Sequence, residues 1–513
     1  MSLRNTLIQY AGRIPFIRDL VNRYFIIGRF TNAAPARPRP YSMTHSYTTW
    51  HGLTDRTWSG RHLPECDDAA IAALPPEDTV VELFRRKSFT PSNDTSVMFM
   101  FFAQWFTDSF LRTDFSDPRR NTSNHEIDLC QIYGLNEDKA HMLRAHEGGR
   151  LASQMIDGQE FPEFLYEEKD GELVVRDKFK GKDGAPDLHP AGVLNHVFAD
   201  VPAERKKNVF AVGLEHGNAT IGYAVLNTLF LREHNRIAGE IAKIETHWDD
   251  ERIFQSTRSV MIVILLKIVI EDYIRHISPI DFPIKTLIGA ADKARWGKTN
   301  WIAIEFNLLY RWHSLVPDHV ALDGDELDSR AFLNNNGLVI DRGLSPMIED
   351  FSRQKSGKIG LHNTPQFMFM STPGKKSTTA RTIAISRAAR LRPFNEYRKL
   401  FRLKPLKSFD ELTDDPKLAA ELKAIYGDID RLEWFVGLFA ESYGEASMMG
   451  ELQATMVAHD AFTQALTNPL LSKSIYNADT FSRTGLEIAN ETSTLKQLVE
   501  RNLPTKTYCS FQV

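Results

Sequence analysis

Trp301-Ile-Ala-Ile-Glu-Phe-Asn-Leu-Leu-Tyr310-Arg-Trp-His313-Ser-Leu-Val-Pro317 is the stretch on which the reading of this chain turns. Its apolar residues recur at helical spacing, and Pro317 supplies a stop because its ring removes a donor and crowds the preceding turn. Tyr310 and His313 are three apart, so a helix running through both puts them on one face. A His on an apolar helix is suited to be the axial ligand of a haem iron. A Tyr one turn earlier then lies near the porphyrin edge. Taken alone, the pair is far more often a core histidine with a satisfied hydrogen bond.

A second helix is expected at Phe99-Met-Phe-Phe-Ala-Gln104-Trp-Phe-Thr-Asp108-Ser-Phe110, almost wholly apolar, with Gln104 and Asp108 four apart on one face. Buried polar groups need partners. A ligand pocket over a metal would supply them, and so would neighbouring backbone.

From about residue 75 helical periodicity dominates. It predicts helices over Val97–Leu111, Leu151–Met155, Tyr223–Ile244, Ile253–Ile277, Trp301–Leu315, Ser386–Phe401 and Glu433–Phe439, with one short strand at Glu172–Arg176. Polar, Gly- or Pro-containing stretches at Asp114–Asn124, Lys180–Pro190 and Gly357–Ser377 read as loops. A mainly α domain of this size with long loops is built to enclose something, and a large planar cofactor is one candidate.

The remaining features narrow the class. The 513 residues are 42% hydrophobic and 25% charged, a globular balance that excludes disordered and collagenous classes. With 62 Lys and Arg against 66 Asp and Glu and no long basic block, nucleic acid is not an expected partner. Cys66, Cys130 and Cys509 are too few and too scattered for a disulfide framework or a CxxC metal site, which suits a reducing compartment. No secretory signal pattern opens the chain, and no window reaches the roughly 18–20 apolar residues that span a bilayer. The best run, Val260–Leu266 continuing to Ile270, reads as a buried core helix. The expected compartment is therefore the cytoplasm.

The first thirty residues interleave Leu7, Ile8, Tyr10, Ile14, Phe16, Leu20 and Tyr24 with Arg4, Arg13, Arg18, Arg23 and Arg29. Such a segment lies in a lipid interface or docks on the core. The Pro-rich stretch Ala33–Pro40 follows as a linker. The expected division is an amphipathic membrane-contact segment over 1–33, a Pro-containing connection over 34–75 and a catalytic domain over 76–513. Thr372–Ser377 lacks the first glycine of a phosphate-binding loop, no HExxH or GxSxG is present, and Glu233–His234 reads as helix packing with a salt bridge.

The ordered set of motifs carries a family resemblance. The chain resembles the cyclooxygenase (prostaglandin endoperoxide synthase) branch of the animal haem peroxidase superfamily, which also includes fatty-acid dioxygenases. Ile14–Leu20 with Arg29 is similar to the end of that branch's membrane-binding helices, and Phe101–Thr107 to its distal haem helix. Ile127–Gly134, Leu229–Arg236, Lys267–Tyr273, Phe394–Arg398 and Tyr426–Asp430 are further signatures, and Glu305–His313 resembles the helix of the catalytic Tyr and proximal His. The family's cysteine-rich growth-factor-like module has no counterpart among three cysteines.

The resemblance implies a mainly α, haem-peroxidase-like globule holding haem b, with His313 as axial ligand to the iron and Gln104, Thr107 and Trp312 beside the cofactor. It implies that Tyr310 forms the radical that takes hydrogen from an unsaturated fatty acid before O2 adds. Tyr273 falls where the family has a Tyr that hydrogen-bonds that residue, and Arg29 where it binds the carboxylate. Phe106, Phe110, Ile274, Phe306, Leu309 and Ala461 fall along the lipid channel. Three positions depart from the family. Asp108 replaces the distal His, which implies weak peroxide turnover unless burial raises the carboxyl into a working range. Ile280 and Thr455 replace the partners of the channel Arg. Ala461, or Thr463 with one gap, stands at the channel serine. A homodimer and peripheral membrane contact are expected by the same resemblance. Two other readings stay open: a haem peroxidase or peroxygenase using Asp108 as distal acid–base, and a non-catalytic haem protein binding a lipid or gas.

Overall fold

The computed structural model describes residues 12–35, 43–45, 49–114, 116–182, 184–279, 282–298, 301–371 and 376–513. Helices dominate, and side-chain caps mark where the main ones begin. Helix α1 spans Pro15–Asn22 with its proline in the first turn, and continues as a π-helical turn over Arg23–Phe30. Helix α2, Val97–Thr107, is capped by the Ser96 hydroxyl, which accepts from the Phe99 N–H. Helix α3, Ile221–Ile244, is capped by Thr220, and α4, Asp250–Ile268, by Asp249. A hydroxyl or carboxylate at such a position satisfies one of the amides that the first turn leaves open.

Every residue of α2 except Gln104 is buried. A helix apolar on all sides must be enclosed on all sides, and α2 packs against α3. Their approach depends on Gly222: a Cβ there would lie 2.0 Å from the Phe101 ring. Trp105 Nε1 donates to Asn227 of α3 at 2.8 Å, and the Trp105 and Phe230 rings are 4.4 Å apart. Helix α4 runs on through a π-helical turn to Ile277. The 28-residue segment is long and apolar enough to cross a membrane by length and composition, yet its most apolar window is 83% buried within the fold, in keeping with the core helix expected at Val260–Ile270. Glu233 of α3 pairs with Arg236 and Arg501, and His234 bonds the Tyr133 hydroxyl, so this pair is packing and ion pairing.

Strand structure is confined, among the described residues, to four two-stranded antiparallel pairs. Three are hairpins that turn on Asp-Gly: Asp157-Gly158, Asp170-Gly171 and Asp323-Gly324, all with positive φ. Two consecutive positive φ values match the twist of a tight hairpin, and Asp-Gly adopts them readily. One such turn overrides the helix expected over Leu151–Met155, where Ser153–Ile156 instead pairs with Gln159–Pro162. The strand expected at Glu172–Arg176 pairs with Tyr166–Lys169. The helix expected over Ser386–Phe401 is two helices, Thr378–Ala388 and Phe394–Leu400, because Pro393 forces its predecessor out of helical geometry and starts the second.

The N-terminal segment is docked on one side and bare on the other. Asn22 bonds Pro283 and Lys285 backbone, and Ile26 is buried, whereas Ile14, Phe16, Leu20 and Tyr24 are exposed. Leu7, Ile8, Tyr10 and most of the linker lie outside the described residues.

Candidate functional site

The expected continuous helix over Trp301–Leu315 breaks at its centre. Helix α5 covers only Ile304–Leu309, and Tyr310 caps it. The Trp312 N–H donates back to the Tyr310 carbonyl at 2.9 Å, closing a three-residue turn. A short 3₁₀ turn then holds His313–Leu315. Shared helical face is therefore not what joins Tyr310 to His313. The turn does so, by directing Tyr310, Trp312 and His313 toward one cavity of about 400 Å3, within the range of ligand pockets.

The opposite wall is α2. Its one unburied residue, Gln104, faces this cavity together with Thr107 and Asp108. The Thr220 hydroxyl at the head of α3 donates to Gln104 Oε1 at 3.0 Å, and the Thr107 hydroxyl is tied to the Ala103 carbonyl. Six residues singled out from sequence as catalytic or cofactor-binding thus meet around one space.

The electrostatics are unusual for a solvent-filled cleft. Burial, reinforced by Arg311, lowers the His313 imidazole to about 3, so it carries a lone pair at neutral pH. Burial raises Asp108 to about 7 against the opposing pull of Arg112 and Arg311. Arg112 is itself engaged by Glu215 at 2.5 Å. Arg311 was not anticipated. It lies deep in the cavity wall, donating to the Thr382 and Thr113 hydroxyls and the Asn307 amide, and no carboxylate pairs with it among the described residues. Burial lowers it to about 10. Tyr310 Oη, Trp312 Nε1 and Asn307 Nδ2 are buried without hydrogen-bond partners among the described residues.

These observations fit a haem. An imidazole held neutral offers a ligand nitrogen. A guanidinium lacking a carboxylate is suited to a propionate, and the orphaned donors line the same space.

The positions expected along the lipid channel lie elsewhere. Phe106, Phe110, Ile274, Phe306, Leu309 and Ala461 are all buried, and none lines the cavity of His313. Phe106 meets Phe110 at 4.9 Å and Tyr273 at 5.9 Å, and Phe110 stacks on Phe306 at 5.9 Å. Phe306 in turn meets Tyr310 edge-on. Tyr310 is the junction between this packed cluster and the cavity. The hydrogen bond expected between Tyr273 and Tyr310 is absent: both hydroxyls are buried and unpartnered. Tyr273 is instead fixed by its ring, stacked on Phe99 at 4.8 Å. Arg29 is exposed on the π-helical turn with no partner among the described residues. Its neighbour Phe30 stacks at 5.9 Å on Phe462 of helix α6, Glu451–Leu466, which carries Ala461. The Thr455 hydroxyl donates to the Glu451 carbonyl, Thr463 bonds the His459 carbonyl, and Ile280 lies outside the described residues.

The profile of the animal haem peroxidase family matches residues 109–513. The chain belongs to that family. Among animal haem peroxidase relatives, it is 32% identical to prostaglandin G/H synthase 2 of Bos taurus over 517 residues, covering 98% of this chain and 80% of the relative. It is 33% identical to prostaglandin G/H synthase 1 of Mus musculus, covering 97% and 79%. Among solved structures it is similar to Oryza sativa fatty acid alpha-dioxygenase with palmitic acid (TM-score 0.75, 17% identity, 100% of this chain and 97% of the other). It is also similar to peroxidase A of Dictyostelium discoideum (TM-score 0.67, 19% identity, 93% and 94%). As an animal haem peroxidase the protein is a haem-binding oxidoreductase, and its helical architecture is that of the family.

Proposed function

We propose that this protein is a haem-dependent dioxygenase that oxygenates an unsaturated fatty acid through a radical on Tyr310. One observation carries the reading: Tyr310 lines the His313 cavity while its ring packs on Phe306, the edge of a buried aromatic cluster. The names of the relatives, prostaglandin G/H synthase and fatty acid alpha-dioxygenase, support haem-dependent fatty-acid oxygenation in general.

Haem bound in the cavity supplies the one-electron oxidising equivalent. His313 contributes its neutral ring nitrogen, and Arg311 contributes a fixed positive charge. Tyr310, desolvated and without a hydrogen-bond partner, keeps its phenolic hydrogen, since burial raises its pKa. As a phenoxyl radical it takes a bis-allylic hydrogen atom from the lipid. O2 adds to the resulting carbon radical, and the peroxyl radical recovers the hydrogen atom from Tyr310. Phe106, Phe110 and Phe306 exclude water from the lipid chain, and Arg29 offers a forked donor to its carboxylate. Exposed Ile14, Phe16, Leu20 and Tyr24, beside Arg residues, support contact of the N-terminal segment with a membrane surface.

The test is O2 uptake by haem-loaded protein over a panel of unsaturated fatty acids. Tyr310→Phe should keep the Soret band and lose the uptake; a variant consuming O2 at the parental rate overturns the reading. A second reading, peroxidase or peroxygenase chemistry, is favoured by Asp108, whose carboxyl near 7 can exchange a proton at neutral pH. It requires Asp108→Asn to lower peroxide-dependent oxidation of a reducing dye at least tenfold.

A further inference from the structure

Two places outside the haem cavity gather charged side chains. One is the buried pair His62 and Asp460, where Nε2–H donates to Oδ2 at 2.8 Å, so each group is already engaged by the other. The second is a cavity of about 200 Å3 that shares no lining residue with the cavity of His313. It lies between the 66–74 segment, the C-terminal end of the helix Thr378–Ala388, and residues 391–393 and 430–434. An apolar cavity of about 150 Å3 holds one benzene, so this one has room for a single ring bearing a small substituent.

Its wall is apolar in one part and cationic in another. Ile71, Leu74 and Leu391 supply aliphatic surface, and Trp434 adds its ring, the indole Nε1–H being held by the Met456 sulfur at 3.4 Å. Arg387 grips Glu433 through Nε and Nη2, both at 2.9 Å, and the Tyr426 hydroxyl donates to the same carboxylate at 2.9 Å. Both oxygens of Glu433 are thereby engaged, while Arg387 Nη1 makes no hydrogen bond among the described residues. Arg431 reaches across to the Ala73 carbonyl and pairs with no carboxylate among the described residues. Arg392 is held by the Pro64 and Glu65 carbonyls, with Glu396 at 3.8 Å. The second acid of the wall, Asp430, accepts from the Asn395 amide at 2.7 Å. Three guanidinium groups thus stand against two carboxylates, an excess of one positive charge. Ser386 also lines the cavity, is only 6% exposed, and its hydroxyl makes no hydrogen bond among the described residues. A buried hydroxyl calls for a partner.

We infer that this cavity binds a small monocarboxylate with a ring-sized apolar body, of the benzoate class, its carboxylate received by Arg387, Arg431 and the Ser386 hydroxyl and its ring laid among Ile71, Leu74, Leu391 and Trp434. Guanidinium groups present paired donors that match a carboxylate. A few polar groups set into an apolar wall are the ordinary make-up of a small-molecule pocket. A dianion would leave one charge unmatched beside Asp430 and Glu433, and a neutral ring would leave the excess cation bare. The ligand is too small to be the lipid proposed as substrate, and its site stands apart from that reading.

The measurement is fluorine NMR of para-fluorobenzoate titrated into the haem-loaded full chain, with the Soret band followed in parallel. One saturable site per chain is expected, half-filled at about 5 mM or below, within reach of a ligand of roughly ten heavy atoms. The amide para-fluorobenzamide, of the same shape without the charge, should bind about tenfold more weakly or worse, and Arg431→Gln should weaken the acid to the same degree. Ala70→Trp, at the exposed rim, should block the cavity and abolish binding with the Soret band unchanged. Should either variant fail to fold, crystals of the unaltered protein soaked in para-bromobenzoate decide, through an anomalous bromine peak between Arg387 and Trp434. Absence of that peak overturns the inference, as do absence of saturable binding, equal binding of the amide, and undiminished binding by either folded variant. A Soret shift with the same midpoint overturns it too, since the acid then sits in the haem cavity. Fatty-acid oxygenation enters none of these readouts, so the two proposals fail separately.

Discussion

Phe306 meets Tyr310 edge-on, with ring centroids 5.2 Å apart and planes at 79°. Phe306 lies within α5 and Tyr310 caps it, and the contact sets the phenol at the boundary between packed apolar side chains and the haem cavity. The ring of Trp312 closes the other side at 4.7 Å. The phenol is thus clamped by rings, and its hydroxyl makes no hydrogen bond among the described residues.

That clamp gives the first prediction. A buried hydroxyl without a partner costs roughly 1–3 kcal/mol in desolvation, and removing it leaves the ring contacts in place. Tyr310→Phe should therefore be as stable as the parent in urea unfolding of the haem-free protein, or more stable by up to about 1 kcal/mol. A clear loss of stability would mean that the hydroxyl has a partner.

Asp108 gives a pH dependence with a definite sign. Its carboxyl titrates near 7 in the fold against 3.8 unfolded, so between those values the native state binds more protons than the unfolded chain. Stability from this group is fully present below the unfolded value and is lost as pH rises through 7. Relative to Asp108→Asn, the parent should lose on the order of 3 kcal/mol between pH 4 and 7 and little beyond. Denaturant midpoints of both proteins across that range measure the difference. A difference that stayed flat, or that grew in the parent's favour, would contradict the burial of this carboxyl.

Much of the fold and part of the site could be read in advance, and the gaps have physical causes. Helix α2 was legible because an apolar run with Ser96 ahead of it has few alternatives. Gln104 stood out as its one polar interruption before the last turn, and that interruption is where the cavity lies. Leu151–Met155 was misread by periodicity although Asp157-Gly158 signalled a hairpin directly. The break after Leu309 has no local cause such as proline or glycine. Beyond it, three consecutive large side chains, Tyr310, Arg311 and Trp312, all line the cavity. Arg311 was illegible because its meaning lies in the carboxylate it lacks. The His62–Asp460 pair joins residues 398 positions apart, a distance over which no local pattern carries information.

Arg311 itself is testable without turnover. A buried guanidinium hydrogen-bonded only to hydroxyls and an amide, with the Asp108 carboxyl acting on it at longer range, is costly to the haem-free protein, yet it suits an anionic haem substituent. Arg311→Gln should leave haem-free stability unchanged or raised, and should speed haem transfer to an excess of apomyoglobin by about ten- to a hundredfold, the loss of a charge-assisted bond worth roughly 1.5–3 kcal/mol. Unchanged transfer would place the propionates elsewhere.

The contact between α2 and α3 makes the last prediction, and it links packing to the site. A methyl group at Gly222 would have to occupy space 2.0 Å from Cγ of Phe101, a ring with 2% exposure and its own neighbour in Phe351 at 4.7 Å. The ring cannot swing away, so Gly222→Ala must push α2 off α3. Overpacking of this kind costs typically 1–3 kcal/mol. Three residues further along α2, Gln104 would move with the helix and lose its bond from Thr220, which directly precedes the first turn of α3. The variant should unfold at lower urea and show a shifted Soret band when haem is added, because one wall of the cavity has moved. Gly239→Ala on the same α3, where the nearest atom to a new Cβ is 3.6 Å away at the end of the Arg150 side chain, should do neither.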